Sequence, residues 1–285
     1  MAIGDKNYWA VILGASSGMG LATAKKLAAE GFNLCLVYRD RKSAAAEAEE
    51  QFDQLRKAGA KVRSFNIDAL NHDKRGDVIS EMMEIGGEGS VRLLLHSIAR
   101  GNLKLMAPYM RVIPDDPVYN AAAGYLKNTF GNESAFLKED DFSLTLHAMA
   151  VSFYTWTRAL FEAGLFASEA TVLSLTSEGS AKAWRNYAAV GAAKAALESI
   201  SRAMALEFAP HGIRSNVLQP GVTITPSFRM IKGNELIEQQ SLLRNPFGRL
   251  TTPGDVANVV YLLSRPEAAW INGAVIPVDG GESIA

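Results

Sequence analysis

The chain has 285 residues, a formal net charge of −1 at pH 7 and 48% hydrophobic residues, enough to bury a sizeable core. The near-neutral charge gives no reason to expect a nucleic-acid partner or an anionic-membrane surface. The one cysteine, Cys35, excludes an intrachain disulfide and a cysteine-based metal site, and we predict no bound metal. The N-terminus lacks the pattern of a signal peptide, and no apolar run reaches transmembrane length. We therefore expect a single cytoplasmic domain over residues 1–285.

The first elements of the chain predict a nucleotide-binding βαβ unit. Residues 8–13 have the pattern of a buried strand, GASSGMG at 14–20 is a glycine-rich turn, and residues 21–31 have helical spacing before a second strand at 33–38. Such glycines let the backbone approach a pyrophosphate, which the N-terminus of the following helix can bind. A tight turn without a ligand is the alternative. The residues predicted to contact the cofactor here are Gly14, Ser16, Ser17, Gly18, Met19 and Gly20.

The end of the second strand indicates which dinucleotide binds. A fold that prefers NAD usually places an acid there to hold the ribose 2′-hydroxyl. This chain has Arg39 instead, followed by Asp40, Arg41 and Lys42, and a guanidinium suits a 2′-phosphate. Asp40 opposes this interpretation, and a solvated loop is the alternative. We predict NADPH rather than NADH.

Strands and helices go on alternating along the chain. Helices at 41–58 and 72–85 separate strands at 61–67 and 91–97, and later strands follow near 171–175, 212–219 and 271–281. This order predicts an α/β, Rossmann-like, doubly wound parallel sheet of about seven strands with helices on both faces. Its ligand is expected at the carboxyl ends of the strands, where Asp68 can accept a hydrogen bond from an adenine amino group.

Several stretches together resemble the short-chain dehydrogenase/reductase superfamily. They are GASSGMG at 14–20, Asp68, the helix carrying Tyr187 and Lys194, QPGVTIT at 219–225 and VDGG at 278–281. HSIA at 96–99 and NYAAVGAAKAALE at 186–198 look most like the NAD(P)H-dependent enoyl-acyl-carrier-protein reductases. The resemblance implies a homotetramer and further cofactor contacts at Ala69, Ser97, Ile98, Ala99, Lys194, Gly221, Val222, Thr223 and Thr225.

The spacing of Tyr187 and Lys194 decides between two chemistries. Ketone-reducing members of the superfamily place these residues four apart on one helix, but here Val190 occupies that position and Tyr187 is seven residues before the lysine. On one helix, that step would move the tyrosine roughly 10 Å along the axis. A ketone oxygen lies about 1.2 Å from the carbon that takes hydride, whereas the oxygen of an enoyl thioester is three bonds from C3. The displaced Tyr187 therefore favours an enoyl substrate, with Ser177 as an assisting residue or an ordinary loop serine.

Two segments are expected around the substrate. Residues 100–140 contain several Pro and Gly residues and are predicted to be irregular, covering the substrate from the end of the fourth strand. Residues 226–247 are predicted to form a substrate lid, with a surface helix as the alternative. Between them, residues 141–163 are predicted to be one helix. It has no Asn, which many members of the superfamily carry there, and this weakens a ketoreductase interpretation.

The leading hypothesis from sequence is an NADPH-dependent enoyl-thioester reductase of fatty acid synthesis whose substrate is an acyl thioester, presented on acyl carrier protein or CoA. A short-chain carbonyl or 3-oxoacyl reductase is the second hypothesis. The third is a dinucleotide-sensing regulator without turnover, which ranks last because such proteins tend to lose the Tyr/Lys pair that this chain keeps at Tyr187 and Lys194.

Overall fold

A computed structural model describes residues 8–110 and 117–285. Its centre is a seven-stranded parallel sheet in the order β3-β2-β1-β4-β5-β6-β7. The strand order extends outward from β1 in both directions, so the topological switch point lies between β1 and β4. The predicted doubly wound parallel sheet is confirmed. The strands are β1 Trp9–Leu13, β2 Asn33–Tyr38, β3 Val62–Asn66, β4 Val91–His96, β5 Phe166–Leu175, β6 Arg214–Pro220 and β7 Val275–Val278.

Ten α-helices lie in the described ranges. They are α1 Gly18–Ala29, α2 Lys42–Lys57, α3 His72–Gly86, α4 Pro117–Phe130, α5 Glu139–Leu146, α6 Ser152–Glu162, α7 Ala188–Glu207, α8 Pro226–Arg229, α9 Asn234–Arg244 and α10 Pro253–Ser264. None of the described helices has the length and apolar character needed to cross a membrane.

The sheet has a core on each face because successive residues of a strand point in opposite directions. In β1, Ile12 belongs to the cluster that contains α1 and α10, whereas Val11 belongs to the opposite cluster with Phe153 and Trp156 of α6. Burying each large side chain contributes about 1.5–3 kcal/mol. Trp156 also donates from its indole Nε1 to the Ala69 carbonyl at 2.8 Å, which fixes the loop that follows β3.

One sequence expectation about the middle of the chain is wrong, and another is confirmed. Residues 100–140 are not irregular throughout, because they contain α4. Pro117 is the first residue of α4, where a missing N–H costs no helical hydrogen bond. Residues 111–116 of the predicted segment lie outside the described residues. The predicted helix at 141–163 is confirmed, because α5, a π-helical turn at His147–Val151 and α6 follow one another without a break from Glu139 to Glu162.

Candidate active site

Two adjoining cavities lie at the carboxyl ends of the strands. The first, here called the glycine-loop cavity, is about 450 Å³ and is lined by the turn after β1 and the loops after β2, β3 and β4. The second, the tyrosine cavity, is about 210 Å³ and mostly apolar, and it is lined by the loops after β4, β5 and β6 and by α7. Met19, Ser97, Ile98, Ala99, Gly101, Thr225 and Ser227 line both cavities.

Nearly all residues predicted from sequence line one of these cavities. Those at the glycine-loop cavity are Gly14, Ser16, Ser17, Gly18, Met19, Arg39, Asp68, Ala69, Ser97, Ile98, Ala99 and Thr225. Those at the tyrosine cavity include Ser177, Tyr187, Lys194, Gly221, Val222 and Thr223. The exception is Gly20, which is buried and lines neither.

The glycine-rich turn contains two positions where no side chain has room. Gly14 has φ of +83°, and a Cβ there would lie 2.4 Å from the Ser97 carbonyl oxygen. A Cβ on Gly20 would lie 2.0 Å from the Gly14 carbonyl oxygen, so this glycine serves the packing of α1 on the turn. Ser17 is the N-cap of α1 and its side chain makes no capping hydrogen bond. The first amides of the helix are therefore not capped by Ser17, which fits a dinucleotide pyrophosphate.

Three charged side chains that line the glycine-loop cavity contact one another. Asp68 Oδ2 accepts from Arg39 Nη1 at 2.9 Å and from Arg100 Nη1 at 3.0 Å. Asp68 Oδ1 accepts from the Leu70 backbone N–H at 3.0 Å. Sequence reasoning identified Arg39 and Asp68 but missed Arg100, whose one sequence signal was its position just beyond the HSIA stretch.

The tyrosine and the serine are brought together by the end of β5 and the start of α7. Tyr187 is the N-cap residue of α7, with φ of −113°, and its hydroxyl lies 3.2 Å from Ser177 Oγ. Tyr187 therefore begins the helix that carries Lys194, and its carbonyl accepts from the Gly191 N–H at 2.7 Å. Lys194 is buried and donates from Nζ to the Leu175 carbonyl at 2.7 Å.

Burial sets the protonation of both groups. It raises the pKa of the Tyr187 hydroxyl, and the hydrogen bond from Ser177 offsets part of that rise. The phenol is accordingly neutral near pH 7 and can donate a hydrogen bond. Burial lowers the pKa of Lys194 to about 8, although the negative charge of Glu198 acts in the opposite direction. Lys194 is therefore largely an ammonium at neutral pH and loses its charge a little above it.

Two glycines allow the loop after β5 to lie against Tyr187. A Cβ on Gly179 would lie 2.5 Å from Tyr187 Cε1, and a Cβ on Gly191 would lie 2.6 Å from the Gly179 carbonyl oxygen. The loop thus rests directly on the first turns of α7, and the tyrosine ring fills the space that a side chain at residue 179 would need. Sequence reasoning gave neither glycine a role.

A buried histidine ends β4, next to Ser97, which lines both cavities. His96, the last residue of β4, places Nε2 2.7 Å from Ser152 Oγ and Nδ1 3.3 Å from Ser174 Oγ. Burial, followed by the positive charge of Lys194, lowers the pKa of His96 to about 3. The imidazole is therefore neutral and links the end of β4 to the helix that follows the π-helical turn.

The predicted lid segment lies against the tyrosine cavity. Phe228 and Ile231 line it, and so does Arg244 at the end of α9. Arg244 Nη2 forms ion pairs with Glu178 Oε2 at 3.2 Å and with Glu282 Oε1 at 3.0 Å. These contacts join the segment to the loop after Ser177 and to the end of the chain.

The inserted segment contributes less to the cavity than expected. Of its described residues, Gly101 and Leu103 line the tyrosine cavity. Farther along, the Tyr125 hydroxyl donates to Glu235 Oε2 at 3.3 Å, and Glu133 pairs with Lys232. The insertion therefore contacts the predicted lid through α4 and the turn after it, whereas Asn102 and Lys104 contact α5 at Asp141.

Two family models match this chain, one on each side of residues 107–114. The model described as short chain dehydrogenase matches residues 8–106, and the model described as Enoyl-(Acyl carrier protein) reductase matches residues 115–283. The chain belongs to the short-chain dehydrogenase/reductase superfamily. The superfamily resemblance drawn from sequence is confirmed, and membership makes the protein an NAD(P)H-dependent oxidoreductase.

Individual relatives of this superfamily member differ in activity. The 7alpha-hydroxysteroid dehydrogenase of Escherichia coli (strain K12) is 26% identical over 226 residues, which are 79% of this chain and 84% of the relative. L-xylulose reductase of Bos taurus is 23% identical over 272 residues, 95% of each chain. The crystal structure of enoyl-[acyl-carrier-protein] reductase (NADH) from Aquifex aeolicus VF5 has a TM-score of 0.79 and 22% identity, with 98% of each chain covered. The last likeness shows the fold alone.

Proposed function

We propose that the protein is an NADPH-dependent enoyl-thioester reductase of fatty acid synthesis. The observation that carries the proposal is the placement of Tyr187 at the N-cap of α7, with Val190 in the position four residues before Lys194. The Tyr187 hydroxyl contacts Ser177 Oγ and the Lys194 ammonium contacts the Leu175 carbonyl, and within the described residues no hydrogen bond joins the tyrosine and lysine side chains. A donor displaced in this way suits an oxygen that is several bonds from the carbon being reduced.

The residues of the tyrosine cavity have distinct tasks in this reaction. NADPH, when bound, supplies a hydride, which C3 of the enoyl thioester accepts. The neutral Tyr187 hydroxyl donates a hydrogen bond to the thioester oxygen as negative charge develops there. Ser177 orients that hydroxyl from 3.2 Å. Lys194 holds a positive charge beside the same cavity, and the apolar walls exclude water and strengthen both interactions.

The glycine-loop cavity supports the choice of NADPH. The uncapped start of α1 fits the pyrophosphate, and Arg39 has an exposed side chain after β2, where no acid follows directly. A guanidinium pairs well with a dianionic phosphate because it offers a planar fork of donors. We further propose an acyl carrier protein or CoA thioester as substrate, a cytoplasmic location, and a homotetramer, which size-exclusion chromatography with light scattering tests directly.

A carbonyl or 3-oxoacyl reductase is the second candidate, and one contact favours it. Ser177 Oγ and the Tyr187 hydroxyl are within hydrogen-bond distance, which is the arrangement that a ketone oxygen needs if both groups bind it at once. Relatives whose names indicate reduction of a ketone, or oxidation of a hydroxyl group, also match the chain.

One assay separates these candidates. The purified protein is mixed with NADPH and crotonyl-CoA, and separately with NADPH and acetoacetyl-CoA, while absorbance of the reduced cofactor is followed. We expect oxidation with crotonyl-CoA. Oxidation with acetoacetyl-CoA alone would establish the carbonyl reductase, and oxidation with neither would favour a dinucleotide-sensing protein.

A pair of variants tests the proposed donor. Tyr187→Phe should lower kcat for the enoyl substrate by about 100-fold or more, which is the usual loss when one oxyanion donor is removed. Tyr154→Phe is the matched control, because Tyr154 is partly exposed on α6 and lines neither cavity. Full enoyl activity in the Tyr187→Phe protein would remove Tyr187 from the mechanism.

A further inference from the structure

Arg100 reaches from one strand end to another across the glycine-loop cavity. It lies four residues beyond the end of β4, yet its Nη1 donates to Asp68, which follows β3, at 3.0 Å. Strands β2 and β1 separate β3 from β4 in the sheet. Arg39, after β2, donates to the same carboxylate oxygen at 2.9 Å. Two arginines from different loops therefore share one acid at the edge of the cavity.

The two arginines are not equivalent. The Arg39 side chain is 58% exposed, against 42% for Arg100. Arg39 is the residue that follows β2, where a 2′-substituent on the ribose is read in this type of fold. If Arg39 were the only partner of Asp68, turning it towards a phosphate would leave the carboxylate charge unopposed and close to the incoming anion. Because Arg100 also pairs with Asp68, that charge stays opposed.

We propose that Arg100 is a selectivity residue for the 2′-phosphate and that it acts by neutralising Asp68, which leaves Arg39 available to the phosphate. The carboxylate can accept from both arginines and from the Leu70 N–H, since an ionised carboxylate offers about four acceptor positions. The inference rests on the NADPH preference in the proposed function. It adds a residue from the loop after β4 to the determinants of that preference.

The test compares two ligands that differ only in the phosphate of interest. Dissociation constants for adenosine 2′,5′-bisphosphate and for 5′-AMP are measured by isothermal titration calorimetry at low ionic strength. Wild-type protein should bind the bisphosphate more tightly. Arg100→Gln should reduce that preference by about tenfold, the order of effect expected from one uncompensated charge several ångströms away, whereas Arg100→Lys should retain most of it. Arg202→Gln, an exposed change on α7 away from both cavities, controls for net charge.

A double variant separates neutralisation from direct contact. Asp68→Asn removes the charge that Arg100 opposes. In an Asp68→Asn background, Arg100→Gln should therefore leave the preference for the bisphosphate over 5′-AMP unchanged. Any loss of adenine contact in Asp68→Asn weakens the binding of both nucleotides alike, so it cancels in the ratio of their dissociation constants. If Arg100→Gln weakened the binding of both nucleotides equally, the role of Arg100 would be merely structural. If it weakened only bisphosphate binding, and Asp68→Asn did not restore that binding, Arg100 would bind the phosphate directly. Either result overturns the inference.

The same measurements distinguish this inference from the proposed reaction. Equal affinity of wild-type protein for the two nucleotides would overturn both the NADPH preference and the role of Arg100. A clear preference that Arg100→Gln abolishes, in a protein that fails to reduce crotonyl-CoA, would support the inference and refute only the proposed reaction.

Discussion

Replacement of Gly179 by alanine should disable the site without unfolding the protein. The new Cβ would lie 2.5 Å from Cε1 and 2.7 Å from Cδ1 of the Tyr187 ring, whereas carbon atoms in contact prefer about 3.5–4.0 Å. The ring or the loop must therefore move by about 1 Å. The backbone at residue 179 does not have positive φ, so the clash is the main cost, about 1–3 kcal/mol of stability.

A displacement of about 1 Å in a group that contacts the reacting atoms costs roughly 100-fold in rate. We therefore expect kcat/KM of Gly179→Ala to fall about 100-fold with whichever thioester the wild-type protein reduces. NADPH affinity should change little, because Gly179 lines the tyrosine cavity and not the glycine-loop cavity. Circular dichroism and urea unfolding establish that the variant is folded.

Two comparisons make this reasoning refutable. Gly76→Ala in α3 places its Cβ where no atom lies within 4 Å, so it should retain full activity. Tyr187→Phe should cost far less in the Gly179→Ala background than in the wild type, because the tyrosine is already misplaced. If Gly179→Ala retained wild-type kcat/KM, the contact between residue 179 and the ring would have no part in positioning Tyr187.

Titratable and capping groups give three further expectations. Because burial lowers the pKa of Lys194 to about 8, kcat/KM should fall as pH rises through about 8. Glu198→Gln should move that fall to lower pH because the charge of Glu198 raises the pKa, and a flat pH profile would show that the ammonium is not required. His96 has a pKa of about 3 in the folded protein and about 6.5 when unfolded. The unfolded chain then binds more protons, so the free energy of unfolding measured in urea should decrease as pH falls from about 6.5 towards 3; His96→Gln should weaken that dependence. Thr252 accepts from the Asp255 N–H in a capping box, so Thr252→Ala should lower the free energy of unfolding by about 1 kcal/mol with unchanged NADPH affinity.

Local sequence features are sufficient to predict structure that depends on only a few neighbouring residues. The buried strand, GASSGMG turn and following helix were predicted because turn glycines and apolar periodicity act on neighbouring residues. Even here the start of α1 was misplaced, since the helix begins at Gly18 and not at Leu21. The irregular segment predicted for 100–140 is wrong because proline and glycine do not exclude a helix there: α4 begins at Pro117, and a proline is tolerated in the first turn of a helix.

Short stretches of the sequence are enough to predict the alternating order of strands and helices, the superfamily, and which loops share one edge of the sheet. The order of elements and the shared edge follow from periodicity and turn chemistry, and the superfamily follows from the resemblance of short motifs; all of these are properties of short stretches. Tertiary structure alone decided that Ser177 meets the Tyr187 hydroxyl, that Gly179 leaves room for the tyrosine ring, and that Arg100 meets Asp68. Each of these contacts joins residues from separate loops, and their distances depend on strand register and on how α7 packs against the sheet, which no short stretch of sequence specifies.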